Sequence, residues 1–336
     1  MEKYSLRSMD TNAVPPLLTV PSHGRIISGF WRRLVAFILD GLVLGLFGSA
    51  CGLLFFDFFA KLGGWGRLIG FAVAIVYFGV LNSGLGKGKT VGKRIMGIEV
   101  INSTGGHLSV GRSFLRYLIL GVPFFLNGAP LPTSVVMSPI EYLAVFLVFG
   151  LGGSIVYLYV FNRRTRQSLH DLTVGTFVVR GEGSGPFAAK CIWRPHLAIV
   201  GVWCLAVIGF SLVGPSLLKT VSFSDLLVVQ QKLQSSGKVR APTVFVGKSW
   251  NYQNGVKQEA TYLLSTVVWK ERPEDYQAAA EEMASIILAS YPNIGKKDVL
   301  GITVSYGYDI GISHMWIRQS FQHSPQEWVD LLGRAK

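Results

Sequence analysis

Apolar runs separated by short basic loops set the plan of this chain. Leu34 to Phe59, broken only by Asp40 and Asp57, continues for about 26 residues, more than the roughly 20 that cross a bilayer. Trp31, Arg32 and Arg33 precede it as an aromatic and basic anchor at headgroup level. After the Gly-rich loop Lys61 to Arg67, a second run from Leu68 to Leu85 returns, and Lys87, Lys89, Lys93 and Arg94 follow at once. Tyr142 to Phe161 is a further span, ending at Arg163, Arg164 and Arg166, and His196 to Leu218 is the last. Two spans therefore end in basic loops, which the positive-inside rule assigns to the cytoplasm, so something between Arg116 and Tyr142 has to cross. Leu118 to Leu126 supplies only about nine apolar residues around Pro123, too few to span alone. Ser113 to Pro130 is read as a short, Pro-kinked span buried in the bundle, with a re-entrant segment as the alternative.

The remaining segments are more polar. Residues 1–28 contain Pro15, Pro16 and Pro21 without periodicity and read as a disordered cytoplasmic tail, not a signal peptide. Arg94 to Ile101 and His107 to Val110, flanking the turn Asn102 to Gly106, predict a cytosolic β-hairpin. Residues 183–219 form a basic linker and the last span, with a strand expected before them at Thr173 to Val179. Residues 220–336 change character and predict a small soluble α+β domain. Helices are expected at Ser224 to Gln234, Pro273 to Ser290 and Pro325 to Leu332, and strands at Pro242 to Gly247, Glu259 to Trp269, Val299 to Tyr306 and Ile312 to Ser320. The fold class is thus an α-helical polytopic transmembrane bundle of about five spans with a C-terminal α+β domain. The N-terminus is placed in the cytoplasm and the C-terminal domain outside, at a bacterial plasma (inner) membrane.

Composition supports this reading: 50% of the 336 residues are hydrophobic and only 15% charged. The formal net charge of +13 is a property of the apolar part, because residues 1–218 hold 19 Lys and Arg against 8 Asp and Glu, while residues 219–336 hold 13 against 11. Basic residues packed into loops between spans face lipid headgroups, and a nucleic-acid partner is not expected. The three cysteines, Cys51, Cys191 and Cys204, are far apart and imply neither a disulfide framework nor a metal site.

Candidate chemistry centres on Arg33 and Asp40, seven positions apart and so near one helix face, about 10 Å apart along the axis. A carboxylate at the depth of Asp40 costs on the order of 3 kcal/mol and must face a partner or be protonated. It is either an ion or proton site or a polar clamp that fixes packing. Three motifs then coincide: Gly-Phe-Trp-Arg-Arg-Leu-Val-Ala-Phe-Ile-Leu-Asp ending at Asp40, Lys-Thr-Val-Gly-Lys-Arg-Ile-Met-Gly-Ile-Glu-Val starting at Lys89, and Ser-Leu-His-Asp-Leu-Thr-Val-Gly-Thr starting at Ser168. In this order they resemble the RDD family of membrane proteins over residues 25–182. The resemblance implies Arg33, Asp40 and Asp171 as the family's Arg and two Asp residues. It also implies transport of an ion or small ligand, including sodium/proton exchange, as the role suggested for such proteins. Arg32 and His170 are candidate supporting charges, and Asp171 either pairs structurally with Arg33 and the basic run at 163–166 or gates Asp40.

Other signals are weaker. Gly84 to Thr90 suggests a phosphate loop, but the pattern needs a Gly where Ser83 stands, and a membrane helix precedes it. No nucleophile set or cofactor motif is visible, so an enzyme is not expected. Trp250, Tyr252, Trp269, Tyr306, Tyr308 and Trp316 make the C-terminal domain aromatic, either as core or as a groove for an envelope partner. Two functions stand side by side. One is a transporter of a monovalent cation or small ligand; the other is a non-transporting scaffold whose outer domain binds an envelope protein. Self-association is left open.

Overall fold

The computed structural model describes residues 24–130, 135, 138–181, 191–218, 223–253 and 256–334. The 1–23 part of the N-terminal tail and most of the basic linker lie outside the described residues. Helix α1 (Phe30–Leu54) buries Arg33, Ala36, Asp40, Leu44, Gly48 and Gly52. These fall three or four residues apart and so form one stripe. Its other faces carry exposed Trp31, Ile38, Leu42, Leu46, Leu53 and Leu54. Polar and small residues inward with large apolar residues outward is the arrangement expected of a helix solvated by hydrocarbon.

Four helices are long and apolar enough to cross a membrane: Phe30–Leu54, Phe56–Leu81, Pro139–Phe161 and Arg194–Gly214. The second consists of α2 (Phe56–Leu62), a 3-10 turn and α3 (Gly66–Leu81). After α3 comes a short helix, α4 (Val91–Ile95), and then α5 (Val110–Leu126), whose 17 residues reach about 25 Å and run beside α3. The third long helix joins α6 (Pro139–Val145) to α7 (Gly152–Phe161) through a π-helical stretch at Phe146–Leu151. A π turn frees backbone groups, and Trp203 of α9 (Arg194–Leu218) donates its indole N–H to the Phe149 carbonyl at 2.9 Å. Between these last two lies α8 (Leu169–Val174).

The hairpin expected within residues 94–110 does not form. Strand β2 (Ile98–Asn102) instead pairs antiparallel with β3 (Thr176–Arg180), whose other side takes β1 (Ile26–Ile27). Ile98, Val100, Ile101, Phe177, Val178 and Val179 are all buried in this sheet, so β2 and β3 bury both faces together, which a two-stranded ribbon on the surface cannot do. His107 to Ser109 leads into α5 without a strand, apart from one bridge between Leu108 and Ser83. The tail reading is likewise corrected at Ile26–Ile27, which are strand.

The C-terminal region is β-rich. It follows α10 (Phe223–Ser235) with β4 (Val239–Gln253), β5 (Val256–Trp269), α11 (Tyr276–Ser290), β6 (Val299–Asp309), β7 (His314–His323) and α12 (Pro325–Arg334). The sheet order is β4-β5-β6-β7, with β5 and β6 parallel through the α11 crossover. Leu233, Leu263, Val267, Met283, Ile287 and Ile302 form its core between sheet and helices.

The β6–β7 turn enters the bundle at the end opposite Arg33. Ile310 packs with Phe59 and Tyr308, and Ile312 joins Leu44, Ala74 and Phe125. Nine residues separate Leu54 from Gly45, whose Cβ position is 3.6 Å from the Ile312 carbonyl, so the turn descends about 14 Å along α1. Non-helical backbone is tolerated at that depth where protein surrounds it and its polar groups are paired. Ile310 N–H donates to the Ser313 carbonyl at 3.0 Å and Gly311 N–H to Asp309 Oδ1 at 2.7 Å. Arg67 holds the neck, pairing with Asp309 at 2.5 Å and donating to the Phe125 and Asn127 carbonyls at the end of α5. Arg240 donates to the Ala60 and Lys61 carbonyls at 2.7 Å, and Tyr306 donates to Asp57 at 2.9 Å.

Candidate functional site

Arg33 and Asp40 share the buried stripe of α1 but bind different partners. Asp40 is fully buried. Its Oδ1 accepts from Tyr77 Oη of α3 at 2.8 Å and from the Gly92 backbone N–H at 2.8 Å, and its Oδ2 accepts from Thr90 Oγ1 at 2.6 Å. Thr90 is the N-cap of α4, so the carboxylate sits where that helix start presents free N–H groups. The loop read as a phosphate-binding candidate therefore holds a protein carboxylate. A Cβ at Gly92 would lie 2.1 Å from the Ala36 carbonyl oxygen, which explains the Gly: only bare backbone lets α4 approach α1.

Asp171 is the centre of a second cluster. It is the third residue of α8 and closes a capping box with Ser168, whose N–H reaches Oδ2 at 3.2 Å. Arg33 Nη2 donates to Oδ2 at 2.7 Å, Arg116 Nε and Nη2 donate to Oδ1 at 3.0 and 2.6 Å, and Thr176 Oγ1 donates to Oδ1 at 3.1 Å. Arg33 also donates through Nη1 to the Arg166 carbonyl and lies over the Tyr159 ring. Burial by itself would raise the Asp171 pKa, but the facing Arg116, His170 and Arg33 outweigh it and hold the carboxyl well below the ordinary range. His170 Nε2 is 3.6 Å from Asp171, and burial, its largest influence, pushes the ring pKa down to about 3, which leaves it neutral near pH 7. Its Nδ1 is buried without a hydrogen-bond partner among the described residues.

Of the expected residues, Arg33, His170 and Asp171 converge, whereas Asp40 belongs to the neighbouring clamp. Arg32 is peripheral, donating to the Met96 carbonyl at 3.2 Å from an exposed position. The side chains of Arg163, Arg164 and Arg166 do not pair with Asp171; Arg116 does. Lys93 lies between the clusters, bonding Asn82 Oδ1 at 2.9 Å, and burial lowers its pKa to about 7. Above this floor is a cleft of about 600 Å³ between α1, α5 and α7, lined at its base by Arg33, Lys93, Arg116 and His170 and higher up by apolar side chains.

Residues 27–175 match the model of the RDD family. Over these residues, less than half of the chain, it is similar to the RDD family. The matched RDD segment runs through α8 and ends at the residue before β3, so α9 and the C-terminal region lie beyond it. The uncharacterized protein YckC of Bacillus subtilis (strain 168) is 26% identical over 151 residues, 45% of this chain and 83% of that protein. The uncharacterized protein YxaI of the same organism is 32% identical over 63 residues, 18% of this chain and 41% of that protein. No solved structure matches.

Sequence reasoning about the RDD-like segment missed Arg116, Tyr77, Thr90 and Lys93. Arg116 carried a usable signal: an arginine four residues after Arg112, on a helix that turns apolar at Leu118, needs an acidic partner in the bundle. The capping-box spacing Ser168 to Asp171 was also available, and it places Asp171 at a helix start. Tyr77 and Thr90 carried no such signal, because a tyrosine in an apolar run and a threonine in a basic loop are ordinary at a membrane edge.

Proposed function

We propose that this protein is a membrane scaffold: the RDD bundle anchors and orients the C-terminal domain for an envelope partner, and Arg33, Asp40 and Asp171 fold the bundle instead of carrying an ion. The observation that supports this reading is the state of Asp40. Both of its oxygens already hold donors from α3 and α4, its surface is fully buried, and it does not line the cleft. An exchange site needs a carboxylate that trades these bonds for a proton or cation on every cycle, and abandoning three buried hydrogen bonds would cost several kcal/mol each time.

The scaffold reading carries an orientation. The chain crosses five times, through α1, α3, α5, the α6–α7 unit and α9, with α5 as the short crossing. Arg32, Lys87, Lys89, Arg94, Arg163, Arg164 and Arg180 gather at the Arg33 end, against Lys61 and Arg67 at the other. That asymmetry puts the Arg33 end in the cytoplasm of a bacterial inner membrane and the C-terminal domain outside. Phe245 and Leu264, paired on the sheet face away from the helices, are exposed and offer that domain an apolar contact surface.

The test uses wild type and Asp40→Asn in sealed vesicles with a pH-reporting dye. On a sodium pulse the two should give the same proton flux, and the variant should melt earlier in detergent, since an amide presents N–H to neighbours that are donors. A sodium-driven flux in wild type that disappears in a variant of unchanged melting temperature would sink the scaffold reading and restore exchange at Asp40.

A further inference from the structure

The cleft above the Asp171 cluster has the chemistry of a lipid site. Its base carries the two guanidinium groups of Arg33 and Arg116 beside Lys93, and no acidic residue lines it among the described residues. Asp171 takes Nε and Nη2 of Arg116, while Nη1 has no acceptor among the described residues. His170, 5% exposed, lines the same base with its Nε2 turned toward Asp171 at 3.6 Å. Arg116, whose Nη1 is left without an acceptor, and Arg33 thus lie at the base of one space. Above them the walls are apolar, with Leu120, Phe124, Val148 and Val156 among the lining.

The dimensions agree with the chemistry. From Arg116 to Asn127, both lining residues, α5 climbs eleven residues, or about 16 Å. Half of a hydrocarbon core of roughly 30 Å is about the same depth. The volume of about 600 Å³ is in the range of sites that enclose a small ligand. Val156 and Val160 line the cleft and are also exposed, so its wall is continuous with the outer surface of the bundle, where lipid lies.

We propose that this cleft binds one anionic phospholipid of the leaflet at the Arg33 end, with its phosphate against Arg33 and Arg116 and an acyl chain along α5 and α7. A phosphate there supplies the acceptor that Arg116 Nη1 lacks, and a guanidinium pair is suited to bidentate recognition of its oxygens. The inference goes beyond the scaffold reading and stands whether or not sodium exchange is observed.

The experiment titrates delipidated full-length protein in detergent with dioleoylphosphatidylglycerol, dioleoylphosphatidylcholine or inorganic phosphate, and follows the melting temperature, which rises with any ligand that binds only the folded state. Phosphatidylglycerol is expected to raise it by several degrees, saturably, and the other two are not. Val156→Trp and Val160→Trp, at exposed positions compatible with folding, should fill the cleft and weaken phosphatidylglycerol at least tenfold while the Asp171 cluster stays intact. An equal shift with phosphatidylcholine would overturn the proposal by removing the role of charge. A shift with phosphate alone would overturn it by removing the acyl chain. An undiminished phosphatidylglycerol shift in either folded variant would show that the lipid binds elsewhere.

Discussion

At the scale of single residues, the two aspartates solve the same problem differently. A buried carboxylate must find either charge or several donors, and Asp171 has two guanidinium partners while Asp40 has a tyrosine, a threonine and a backbone N–H. Arg116→Met should therefore destabilise the protein by about 3 kcal/mol, since it leaves part of a buried ion pair uncompensated while Arg33 still covers Asp171. Chemical denaturation of the purified variant measures this, and a loss below about 0.5 kcal/mol, the scale of an exposed pair, would mean the cluster is hydrated. Arg33 and Asp40 were legible because a charge inside a long apolar run is visible in one dimension. Arg116 was less so, because it sits at the edge of an apolar run, where a basic residue is normally solvated.

At the scale of elements, glycines decide how the C-terminal region meets the bundle. A Cβ at Gly70 of α3 would come within 1.8 Å of the Ile310 carbonyl oxygen, and one at Gly52 of α1 within 1.6 Å of Tyr308 Oη. Backbone cannot yield as a flexible side chain can, so Gly70→Leu should expel the β6–β7 turn from between the helices. Limited proteolysis is expected to cut the variant in the 309–313 turn while helix content by circular dichroism is retained; equal protection of that turn in variant and wild type would contradict the seating described. The helices and strands themselves were largely readable from periodicity. β6 and β7 formed near the expected strands Val299 to Tyr306 and Ile312 to Ser320, although β6 runs on to Asp309 and the turn falls at 310–313, and α11 began just after Pro273 with Asp275 as its N-cap. The hairpin misread at residues 94–110 shows the limit: a short apolar strand followed by a Gly turn specifies a strand, not its partner.

At the scale of the whole molecule, the helical bundle is closed at one end by a three-stranded sheet and two carboxylate-centred clusters, and at the other by an inserted β-turn. The proposed orientation puts the first end inside and the second outside. A phosphatase active only outside the cytoplasm, fused after Lys336, should be active, and the same enzyme fused after Arg180 should be silent. The reverse pattern would invert the topology, and activity at both junctions would mean that α9 does not cross.

The sequence alone determined where the long apolar helices of this membrane protein run, that a β-rich region follows them, and that Asp40 lies inside an apolar run close behind Arg33, while the family motifs singled out Asp171. Each of these follows from local quantities: run length, charge inside an apolar segment, alternation, and three motifs in order. Only the tertiary structure decided that Asp40 faces Thr90 and Tyr77 instead of Arg33, that Arg116 completes the Asp171 cluster, that β2 pairs with β3, and that Ile310 and Ile312 plug the bundle. Those are contacts between residues distant in the chain, chosen by which burials satisfy every polar group at once, and no single segment contains that condition.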